Sequence, residues 1–140
     1  MVEQKIAHVT IVVKDYDEAI KFYTEKLKFN LIEDTLLSET KRWVLIAPPG
    51  AKECCILLAK ASGEKQYASI GNQTGGRVFV FLHTNDFWRD YNGMLERGIH
   101  FVREPQKETY GMVAVFEDLY GNLWDLVEPS QKNRGVIQNR

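Results

Sequence analysis

The same order of elements is written twice in this chain, at an offset of about 70 residues, and that repetition restricts the possible folds more than any other feature. In the first copy residues 6–13 are β-branched and apolar and predict a strand. Asp15, followed three positions later by Glu18, has the spacing of a capping box. Ala19, Ile20, Tyr23 and Leu27 then recur at helical spacing over about three turns. Strand-like runs follow at 30–37, 42–47 and 54–59, with Pro48, Pro49 and Gly50 forming the turn between the last two. The second copy repeats the order. Its strand is 78–84, and Asn85-Asp86 can cap a helix that carries Phe87, Tyr91, Met94 and Leu95 on one face and stops at Gly98. Strands are expected at 100–103, 112–116 and 122–127. Asp15 falls on Asp86, Tyr16 on Phe87, and 44–47 on 113–116.

The reading is therefore an α+β domain of two βαβββ modules. Module one covers about residues 5–60, a small polar linker 61–76, module two 77–129, and a polar tail 130–140. A half of this size cannot bury a sufficient core alone, so the modules are expected to pair within the chain or between chains. Net charge is -1 over 140 residues, which provides no field to attract nucleic acid or anionic lipid. No apolar run is long enough to span a bilayer, and the opening residues do not resemble a signal peptide. The two cysteines, Cys54 and Cys55, are adjacent and badly placed for a disulfide with one another, which fits a reducing compartment. A cytoplasmic location is the expectation.

Strand alternation divides the side chains between two faces. Ala7, Val9, Ile11 and Val13 form an apolar face suited to covering by the helix, which leaves His8 and Thr10 on the other. In the second copy Val80 and Leu82 take the helix side, and Phe79, Phe81 and His83 the opposite one. Asp125 lies between Trp124 and Leu126, where a carboxylate is expensive unless paired or metal-bound. Each of these residues also has an ordinary structural reading. His8 can be a neutral core histidine, Cys55 a small buried hydrophobe, and Arg42 and Arg103 solvated surface charges rather than bidentate anion binders.

The stretch from His8 through Asp15 and Ala19 to Phe22-Tyr23, and the closing run Asp118-Leu-Tyr-Gly121-Asn122-Leu-Trp-Asp125, resemble the vicinal oxygen chelate superfamily of glyoxalases, bleomycin resistance proteins and dioxygenases. The resemblance covers about residues 6–129. It implies a curled, open, barrel-like mixed sheet, commonly a homodimer, with metal ligands on the first and last strands of each module. Carried over, those positions are His8, Cys55 (or, after a one-residue slip, Cys54 or Ile56), Phe79, which cannot ligate, and Asp125. A divalent ion (Zn, Ni, Mn or Fe) held by His8, Asp125 and Cys55 would act as a Lewis acid on a small oxygenated substrate, as in a lyase, isomerase or transferase. Asp125 and His83 are the catalytic candidates, and Thr10, Trp43, Phe79 and Phe81 the pocket candidates. The competing expectation is a metal-free binding or antibiotic-resistance protein that holds a small molecule against Phe79, Phe81 and Asp125. The enzyme is preferred narrowly on the retained pair His8 and Asp125.

Overall fold

The computed structural model describes residues 1–130. The chain divides into two units, one ending at Gln73 and the next beginning at Thr74. The expected tail, apart from Ser130, lies outside the described residues. Ser130 itself is held, its amide donating to the Tyr110 carbonyl and its hydroxyl to that of Thr109.

The first unit runs β1 (His8–Val13), α1 (Tyr16–Lys21), β2 (Asn30–Leu36), β3 (Arg42–Ala47), β4 (Cys55–Lys60) and α2 (Glu64–Ser69). The second runs β5 (Val78–His83), α3 (Phe87–Glu96), β6 (Phe101–Glu108), β7 (Gly111–Glu117) and β8 (Leu123–Pro129). Each unit has one four-stranded mixed sheet, ordered β1-β4-β3-β2 and β5-β8-β7-β6. The first strand of each lies parallel to the last, and the remaining neighbours are antiparallel. The duplication read from the sequence is thus a duplication of topology.

Helices α1 and α3 begin as their caps predict. The Asp15 carboxylate accepts from the Glu18 amide, and that of Asp86 from the Arg89 amide, satisfying donors that the first turn leaves open. Glu128 of β8 adds a second anchor by accepting from the Phe87 amide. After Lys21 the first helix widens into a π-helical turn, Phe22–Lys26, which buries Tyr23, and Leu27 and Phe29 are buried beyond it. The helix-facing side of the first sheet consists of Ile11, Val13, Val44, Ile46, Ile56 and Leu58, all buried. In the second unit Phe87, Met94 and Ile99 are buried together with Ala114, Phe116, Trp124 and Leu126, and the Phe116 and Trp124 rings stack.

Two elements differ from expectation. The linker 61–76 contains α2, which buries none of its side chains and so carries no apolar periodicity to be read. Strand β6 continues through Pro105 to Glu108, well past residue 103. It is an edge strand with register shifts between Phe101 and Gln106, where a residue lacking an N–H is tolerated. Among the described residues no helix is long and apolar enough to cross a membrane.

The turn between β7 and β8 is organised by one buried carboxylate. Asp118 Oδ1 accepts from the amides of Tyr120, Gly121 and Asn122, and Oδ2 from Asn122 Nδ2 and Trp124 Nε1. Gly121 supplies the positive φ of 102° that the turn requires. Asp118→Ala would strand these donors, the indole N–H in a buried position. The expected loss is about 3 kcal/mol in urea unfolding. A loss below about 1 kcal/mol would mean that water replaces the carboxylate.

Candidate functional site

The parallel β1–β4 ladder sets His8 beside Cys55 and Thr10 beside Leu57, on the sheet face turned away from α1. Cys55, rather than Cys54 or Ile56, is therefore the β4 neighbour of His8. The His8 imidazole is exposed and meets the Trp43 indole edge-on, with ring centroids 5.8 Å apart. Cys54 precedes β4, and burial, reinforced by neighbouring Cys55, pushes its thiol above the ordinary value. Thr10, Trp43 and Leu57 also line a cavity of about 590 Å³ in this unit, which continues to the C-terminal end of β4 and the start of β3.

In the second unit the β5–β8 register shifts between Val78 and Val80. The shift breaks the simple alternation expected for Phe79, Phe81 and His83. Phe81 stands in register with Asp125, and His83 with Val127. Phe79 lies within the shift itself. Phe81 is 62% exposed, whereas Asp125 is only 6% exposed. Asp125 Oδ1 is buried without a hydrogen-bond partner among the described residues. Burial pushes this carboxyl above the ordinary aspartate value of 3.8, and the Arg103 charge pulls it partly back. The Tyr110 phenol is also raised, first by burial and then by the Asp125 and Glu108 charges, against Arg103. Partial burial of the His83 ring lowers its pKa, which favours the neutral imidazole.

The fold thus joins His8 with Cys55 and Trp43, and Phe81 with Asp125. Within neither unit do three His, Cys, Asp or Glu side chains gather as a metal-ligand group among the described residues. The cationic end of the first unit's cavity, Lys41 and Lys60, was not anticipated. Nothing in a one-dimensional reading joins two lysines 19 positions apart, and only the antiparallel β3–β4 pairing brings the start of one strand to the end of the other.

The buried Asp125 carries a pH signature. Below pH 3.8 the side chain is neutral in both the folded and unfolded chains, so burial adds no charge penalty. As pH rises past that value toward the raised folded pKa, the unfolded chain ionises first and stability is lost. Asp125→Asn should therefore melt higher than the unsubstituted protein at about pH 7, with the gain shrinking as pH falls toward about 4. A difference independent of pH would show that the Asp125 charge carries no folding penalty.

Comparisons with known proteins agree with this architecture. A family model described as the Glyoxalase/Bleomycin resistance protein/Dioxygenase superfamily matches residues 5–126. An uncharacterized protein of Shewanella frigidimarina (strain NCIMB 400) is 61% identical over 131 residues, covering 93% of this chain and 97% of its own. Among solved structures, UcmS2 superposes with a TM-score of 0.80 at 32% identity, over 91% of this chain and 99% of its own. TnmS3, described as an antibiotic binding protein from Streptomyces sp. CB03234, gives a TM-score of 0.74 at 27% identity, over 93% and 99%.

Proposed function

On the premise that the chain belongs to the Glyoxalase/Bleomycin resistance protein/Dioxygenase superfamily, we propose that it is a binding protein that takes up small aromatic molecules without needing a metal ion. The observation that carries this reading is the register pair Phe81–Asp125. The resemblance implies donors on the first and last strands of each module. The first unit has two, His8 and Cys55, in register. In the second, the position beside Asp125 is occupied by a phenyl ring, which has no lone pair to give. The donor set does not fit the four-ligand pattern.

What remains is chemistry suited to recognition. The exposed Phe81 ring presents a surface against which a flat ligand can stack. The unpartnered Asp125 oxygen can accept a hydrogen bond from a ligand hydroxyl or amine, relieving a desolvation cost the free protein carries. That TnmS3 is described as an antibiotic binding protein supports binding over turnover. The His8–Cys55 pair favours a second reading, a metal-dependent enzyme in which these two neighbouring donors would help to hold a divalent ion.

Metal content and calorimetry separate the two. Protein purified without a His tag and treated with chelator should hold less than about 0.1 equivalent of metal. It should still bind the neutral probe 2-naphthol, and Phe81→Ala should weaken that binding by about tenfold. About one equivalent of tightly held metal, lost in His8→Ala, would overturn the binding reading in favour of the enzyme.

A further inference from the structure

The cavity of the first unit has one sign of charge. Its lining includes Lys41, Arg42 and Lys60 and no carboxylate. The Arg42 charge is already engaged. Its guanidinium meets Asp34 at 2.6 Å and Asp17 at 2.9 Å and lies over the Tyr16 ring, 5.1 Å from the centroid. Those contacts hold the Asp34 carboxyl below its ordinary value. Lys41 and Lys60 have no ion-pair partner among the described residues. They stand at the same end of the cavity because β3 and β4 are antiparallel, with Val44 opposite Leu58.

Near the two lysines in the chain the lining is polar, with Thr40 and Ser62. Gln66 Oε1 accepts from the Ser62 amide at 2.8 Å and so orders the chain there. Toward the open sheet face the lining changes to Trp43, Leu57 and Ala59, an aromatic and aliphatic floor. A hollow lined by both cations and an indole matches a molecule that carries both an anionic group and a ring. Fixed charges of one sign around a low-dielectric wall concentrate counter-charge, and the ring gains by stacking.

We infer that this cavity binds an aromatic ligand that carries an anionic group, a carboxylate or a phosphate, with the anion between Lys41 and Lys60 and the ring against Trp43 and Leu57. The inference shares with the reading above only the premise that the chain binds small molecules; it concerns a second site, requires no metal and uses neither Phe81 nor Asp125.

Calorimetry with three probes of one ring system tests it: 2-naphthoate, 2-naphthyl phosphate and neutral 2-naphthol. At least one of the anions should bind about tenfold tighter than 2-naphthol, since two exposed lysines each contribute a modest increment. The tighter of the two anions identifies the group the cavity selects. In the double variant Lys41→Gln, Lys60→Gln, whose substitutions are both at exposed positions, the preference should fall to within about twofold of the neutral probe, and 2-naphthol binding should be unchanged. If 2-naphthol binds as tightly as both anions, or if the double variant keeps the preference, the anionic class is wrong while the binding reading stands. If none of the three probes binds, both fall together.

Discussion

The parallel pairing of the first strand with the last in each unit is the constraint from which the chemistry follows. An antiparallel hairpin can be closed by two residues, but a parallel pair needs a long crossover, here a helix and two further strands. That crossover brings residues 47 and 44 positions apart onto one rung, His8 beside Cys55 and, in the other unit, Phe81 beside Asp125. The helix covers one face of each sheet, and the remaining face presents whatever the rungs carry. The same scaffold can therefore hold an ion, stack a ring or accept a hydrogen bond, depending on two or three side chains.

The two units share this frame and use it differently. On the first sheet the open face is edged by cations, and the two acids near Arg42 are occupied in holding its guanidinium. The open face of the second carries one buried carboxylate with an oxygen left over, beside an exposed phenyl ring. Acidic residues elsewhere in that unit act as internal fasteners. Asp118 ties the last turn together, Asp86 caps α3, and Glu128 anchors the same helix from β8. Asp125 differs from these because its position does not satisfy it. A carboxylate that the fold buries without full compensation costs stability, and a ligand that donates to it recovers part of that cost.

The superfamily resemblance and the donor arithmetic bear on different questions. Membership follows from the match over residues 5–126, and the topology of both sheets agrees with it. Activity depends on the site. There, Phe81 places a ring without donor atoms beside Asp125, and among the described residues Lys41 and Lys60 have no ion-pair partner.

Element order, the caps at Asp15 and Asp86, the strand at 42–47 and the burial of Ile11 and Val13 on β1 were legible in the one-dimensional pattern, whereas Ala7 and Val9, expected on the same covered face, are exposed. Each depends on residues within a few positions of one another, where periodicity and side-chain-to-backbone bonds act directly. Helix α2 was not legible because it buries nothing, and the reach of β6 past Pro105 was not because only its edge position makes a proline acceptable there. The shift that puts Phe81 at the Asp125 rung, the convergence of five donors on Asp118, and the placing of Lys41 and Lys60 on one cavity were decided by tertiary structure alone. Strand register is a choice among alignments of distant segments. It is settled by how whole faces pack and by where a bulge relieves them, so no local run of residues contains it.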